Sequence, residues 1–129
     1  MKNIVVLIHG TWGRGVVPIS PEAKWTMENS LIRKMYIKTL GQNTEFETHN
    51  WSGRNWVHSR EQATVELRKK IEELKNNEEN PRIHICAHSH GGNIAMMAAK
   101  RFREGVLEIL CQSFIIYKIG LNHVREIRL

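Results

Sequence analysis

The apolar and polar positions of this chain alternate between two periods. Asn3–Ile8 (NIVVLI) is a continuous apolar, β-branched run, the pattern of a strand buried on both faces. His9–Gly15 (HGTWGRG) follows as a turn-rich loop, which Pro18 and Pro21 prolong. Asn29 or Ser30 is placed to cap a helix carrying Leu31, Ile32, Met35 and Leu40, with Gly41 as its stop. Thr44–His49 (TEFETH) reads as a weaker strand and WSGRNW as a loop. From Ser59 to Asn76 the period is helical, with Ala63, Leu67, Ile71 and Leu74 on one stripe. Asn76–Pro81 (NNEENP) breaks it. Arg82–Ala87 is the next strand, and Asn93–Arg103 a helix whose buried face is predicted to hold Ile94, Met97, Ala98 and Phe102. Gly105 ends that helix and Val106–Leu110 starts a further strand. Beyond Cys111 the period fades, and the segment is placed only as a strand or short amphipathic tail.

The order is β-α-β-α-β-α-β. Such alternation implies an α/β fold, a parallel sheet between helices on both faces, in three layers. A length of 129 residues suits one domain, 1–129, with one modest core.

Composition narrows the function classes. Apolar residues at 41% and charged ones at 25% are ordinary for a globular protein, and no apolar run approaches the ~20 residues of a membrane span. The apolar run after Met1-Lys2-Asn3 is shorter than a signal-peptide core of ~7–15 residues. A cytoplasmic location is expected. There, Cys86 and Cys111 are expected as reduced packing residues. The net charge of +6 invites a nucleic-acid partner, but the basic residues are scattered. Arg68-Lys69-Lys70 is interleaved with acids at helical spacing, Glu66 with Lys70 and Arg68 with Glu72, so no nucleic-acid interface is expected.

The chemistry concentrates at Ala87-His88-Ser89-His90-Gly91-Gly92, where strand passes to helix. A nucleophilic serine needs an exposed oxygen, a base, and donors for the oxyanion. A sharp strand-to-helix bend supplies the exposure. It needs small residues two before and two after the serine, here Ala87 and Gly91, in the pattern G-x-S-x-G with alanine at the first position. The helix start adds unpaired N–H groups, and the residue after the serine, His90, can offer its backbone N–H to an oxyanion. A second donor is expected from a loop after an earlier strand. His9-Gly10-Thr11-Trp12 is such a loop, with Thr11 N–H as its donor.

These pieces, IVVLIHGTWGRG and IHICAHSHGGNIA, resemble the α/β-hydrolases of the serine esterase and lipase type. WSGRN followed by a helix resembles small bacterial hydrolases with an H-G-T-W loop. The resemblance covers residues 3–110, with 111–129 as a divergent tail. It implies that the strands correspond to the third to sixth of the family, in spatial order 4-3-5-6. It implies Ser89 as nucleophile, Thr11 and His90 as the oxyanion hole, a small ester or acyl substrate, and no cofactor. Trp12, Trp25, Trp51 and Trp56 fall in predicted loops. Trp12 and Trp51 are the candidates for lining the substrate mouth, with packing over the sheet as the equal alternative. The Arg14 and Arg54 loops could meet an anionic group, with solvated loop charge as the favoured reading.

In this family the acid and the histidine follow the serine in that order. After Ser89 the chain offers Glu104, Glu108, Glu126 and a single histidine, His123, and Glu126 follows His123 against the family order. His88 and His90 adjoin the serine on a bend that turns their side chains away, and His9 suits a structural role. The triad's acid and base are therefore not assigned. The expectation is a truncated or frame-shifted member, either a hydrolase or a non-catalytic remnant. In the remnant the last parallel strand would be an open edge prone to self-association. A rival reading takes His84, Cys86, His88 and His90, spaced by two, as metal ligands. A turn near Ala87 is expected to break their shared face.

Overall fold

A computed structural model describes residues 2–100 and the backbone of strands 107–112 and 125–128. Strand β1 is Lys2–Ile8, β2 Glu45–His49, β3 Pro81–His88, β4 Leu107–Gln112 and β5 Arg125–Arg128. Helix α1 is Leu31–Leu40, α2 Val57–Asn77 and α3 His90–Ala99, and a 3₁₀ turn covers Lys24–Thr26.

The five strands form one sheet in the order β2-β1-β3-β4-β5. The first four are mutually parallel. This is the expected 4-3-5-6 order of an α/β-hydrolase half-sheet. The fifth strand is antiparallel and pairs Glu108 with Arg128 and Leu110 with Glu126. The expectation of an open edge at β4 is therefore corrected: β5 takes up its free backbone groups.

Two separate clusters show the three layers. On β1, Val6 and Ile8 point to one face with Leu67 and Ile71 of α2 and Ile94 and Ala98 of α3. Val5 and Leu7 point to the other, where Ile32 and Tyr36 of α1 and Cys86 of β3 cover them. Both sides of β1 are dry, which is why its sequence is apolar without alternation.

Several boundaries moved. Helix α3 begins at His90 instead of Asn93, because His90-Gly91-Gly92 carries no apolar side chain to set the period. Its buried face is Ile94, Ala95, Ala98 and Ala99, while Met97 is 36% exposed. Phe102 and Gly105 lie outside the described residues. Helix α2 begins two residues before the predicted Ser59. Lys70 donates to the Thr48 carbonyl and lies 3.8 Å from Glu47 on β2.

Candidate active site

The site follows from register. Ile8 of β1 pairs with Ala87 of β3 in parallel, so the loop after β1 and the bend after β3 leave the sheet side by side. Ser89 occupies that bend with φ 53° and ψ −125°, between the last residue of β3 and the first of α3. An L-residue rarely adopts a positive φ, at a cost of about 1–3 kcal/mol, and such strain gathers at functional sites. The neighbouring loop holds Trp12 at φ 57°.

The small residues around the bend answer to contact distances. A methyl at Gly91 would sit 2.7 Å from the His9 carbonyl and 2.8 Å from that of Ile8. The first turn of α3 thus rests on the backbone at the end of β1. A methyl at Gly10 would sit 2.9 Å from both Ser89 Cβ and the His88 carbonyl. The β1 loop is pressed against the serine, and Ala87 is fully buried beneath them.

The two oxyanion candidates meet. Thr11 Oγ1 and His90 Nδ1 are 2.6 Å apart, and the hydroxyl donates when that nitrogen carries no proton. His90 opens α3, so its N–H has no partner within the helix. The Trp12 N–H is committed to the Gly53 carbonyl at 2.8 Å.

Trp12 and Trp51 take different places. Trp12 is 48% exposed beside Thr11, whereas Trp51 is 3% exposed and sits in the core with α2 and α3. The Trp51 ring stacks on His9 at 5.4 Å and 8°, and its indole N–H donates to the His9 carbonyl at 2.8 Å. That is the packing alternative, so Trp51 braces the loop from below. Trp25 packs edge-on to His88, and Trp56 is exposed beneath the Arg54 guanidinium.

His9 is 1% exposed, with Nδ1 2.8 Å from the Gly10 carbonyl and Nε2 3.0 Å from that of Trp51. Burial pushes its pKa below the ordinary value, against the opposing pull of the Gly10 carbonyl. Burial likewise lowers the pKa of His88. Arg14, expected in solvent, turns inward and donates to the Trp51 carbonyl at 2.8 Å. His9, Trp51, Gly53 and Arg14 form a scaffold under the loop that sequence reasoning did not assemble. The only signal for it was the joint appearance of HGTW and WSG. His123, Glu104 and the side chains of Glu108 and Glu126 lie outside the described residues.

The metal reading meets a different geometry from the one expected. The strand continues to His88, so His84, Cys86 and His88 do share the α1 face, where His84 lies by Tyr36 and His88 by Trp25. Alternate residues on a strand are about 6.6 Å apart, too far to converge on one ion. His90 has left for the Thr11 contact. Among the described residues no three such side chains are placed to hold a metal ion.

A cleft of about 740 Å³, lined by Lys2, Asn3, Gln42, Asn43 and Glu45 among others, lies at the opposite end of β1 from Ser89. It shares no residue with the bend.

The family model described as "Putative serine esterase (DUF676)" matches residues 1–120. The chain belongs to this serine esterase family. Its β1 loop and β3–α3 bend both lie within the matched residues, and the match runs past Leu110 into the segment read as divergent. No curated protein and no solved structure matched. Among the described residues no helix is long and apolar enough to cross a membrane.

Proposed function

We propose that the chain is a serine hydrolase acting on carboxylic esters, with Ser89 as nucleophile. The observation that carries this reading is the strained Ser89 at the strand-to-helix turn, with the Thr11 loop packed against it. In the proposed reaction Ser89 Oγ attacks the ester carbonyl carbon while a base takes its proton. The carbonyl oxygen gains the negative charge, and the N–H groups of Thr11 and His90 donate to it. Collapse, with the base giving that proton to the leaving oxygen, expels the alcohol and leaves an acyl-serine, which water then hydrolyses to the acid and the original serine.

The Thr11–His90 side-chain contact supports this role, since it ties the two donor residues together before substrate arrives. Preorganised N–H groups aimed at a developing oxyanion are worth roughly 10²–10³ in rate each. Trp12, half-exposed next to Thr11, is the side chain we place at the substrate mouth. The position of the proposed base is sought after β4, with His123 first.

Incubation with a fluorophosphonate, followed by intact mass, tests the reading. One adduct that disappears in Ser89→Ala supports an activated serine. Folded protein that takes no adduct and turns over no aryl ester would leave a non-catalytic member of the family.

A further inference from the structure

His9 faces two carbonyl oxygens with one proton to give them. Its Nδ1 lies 2.8 Å from the Gly10 carbonyl oxygen and its Nε2 3.0 Å from that of Trp51. Burial favours the uncharged ring, and the charge of Arg14 acts in the same direction. A neutral imidazole donates from one nitrogen only, so at the other a ring lone pair meets a carbonyl lone pair. The ring cannot turn aside. It stacks on Trp51, and a methyl at Gly13 would sit 2.8 Å from its Nδ1.

The surroundings separate the two ends. The Gly10 contact is the shorter, and that carbonyl otherwise receives a neutral donor, the Gly13 N–H at 3.0 Å. At the other end a guanidinium nitrogen of Arg14 donates to the Trp51 carbonyl at 2.8 Å. A cation on that oxygen satisfies it and draws off the negative charge that would repel a bare ring nitrogen.

We propose that Arg14 fixes His9 as the Nδ1–H tautomer and is thereby a positioning residue for the Gly10–Thr11 peptide. The Nδ1–H donates to the Gly10 carbonyl. That carbonyl and the Thr11 N–H belong to one planar trans peptide, so they point in opposite directions. Holding the oxygen down onto His9 therefore aims the Thr11 N–H. That this N–H serves an oxyanion rests on the esterase reading; the tautomer and the peptide's orientation do not. Without Arg14 the Trp51 carbonyl needs the His9 proton, which moves to Nε2. The Gly10 oxygen then faces a bare Nδ1, and the peptide turns away.

The test is nuclear magnetic resonance on the full chain labelled with nitrogen-15, at neutral pH, after melts have shown each variant folded. Correlations from the ring nitrogens to the carbon-bound ring protons read the tautomer, and the Thr11 amide resonance reads the peptide. The parent is expected to hold His9 as Nδ1–H. Arg14→Met should move the proton to Nε2 and displace the Thr11 amide, and Arg14→Lys, which keeps a cationic donor, should restore both. A parent with His9 protonated at Nε2 or at both nitrogens overturns the proposal, whatever the variants do. So does Arg14→Met with tautomer and Thr11 amide unchanged. If the parent labels with fluorophosphonate, Arg14→Met should slow labelling roughly tenfold. A parent that takes no label counts against the esterase reading alone, while the resonances still decide the role of Arg14.

Discussion

Thr11 Oγ1 lies 2.6 Å from His90 Nδ1, a side-chain bridge between the loop after β1 and the first residue of α3. The two residues are 79 positions apart and come together because β1 and β3 are neighbours in register. A double-mutant cycle with Thr11→Val and His90→Phe should give a coupling energy of about 1 kcal/mol in stability. If Ser89 labels with fluorophosphonate, Thr11→Val should slow labelling roughly tenfold or more, because the two proposed N–H donors would lose the contact that holds their residues together. Thr11→Ser keeps the hydroxyl and should restore the rate.

Ser89 should reveal its strain through two substitutions. Its φ of 53° is open to glycine and costly to alanine. Ser89→Gly is therefore expected to be about 1 kcal/mol more stable than Ser89→Ala in denaturant unfolding, with neither taking an adduct. Equal stabilities would mean that the bend relaxes when the serine is gone.

Gly91 tests the packing of α3 on β1. The 2.7 and 2.8 Å distances to the His9 and Ile8 carbonyls involve backbone on both sides, which cannot rotate away. Gly91→Ala should destabilise by about 1–3 kcal/mol in urea unfolding. Gly41→Ala is a useful contrast, since a methyl there meets nothing within 4 Å and any cost comes from its φ of 107° alone.

Stability should fall on mild acidification. Burial lowers the pKa of His9, His49 and His88 in the folded chain, so each is favoured in its uncharged form. In the unfolded chain they titrate near ~6.5. Below that value the unfolded state binds more protons, so stability is full above ~6.5 and declines as pH falls toward the depressed folded values. Thermal melts between pH ~7.5 and ~5.5 should show the decline. His49 Nε2 donates to the Ala63 carbonyl at 2.9 Å, and His49→Gln should flatten the slope while offering a replacement N–H. A midpoint that does not change across this window would count against burial as the cause.

The parts of the site legible beforehand were those written in contiguous residues. Ala87-x-Ser89-x-Gly91 announces its bend because steric crowding acts between near neighbours, and Gly91 meets backbone where the pattern demands a small residue. The β1 loop was legible as a loop, though its scaffold was not. Trp51 sits 42 residues from His9 in sequence, and nothing local says that its ring stacks there instead of opening to substrate. Arg14 was misread for the same reason: its acceptor is a carbonyl brought in from the β2–α2 connection. The start of α3 was hidden because two glycines give no hydrophobic signal.

By itself the sequence determined the alternation of strands and helices, the doubly buried β1 and the bend at Ser89. Each of these depends on side-chain period and on sterics within a few residues. Tertiary structure alone decided that Thr11 meets His90, that Trp51 is buried while Trp12 is exposed, and that β5 closes the edge of β4. Those outcomes depend on strand order and register, which place distant residues within ångströms and which no local pattern encodes.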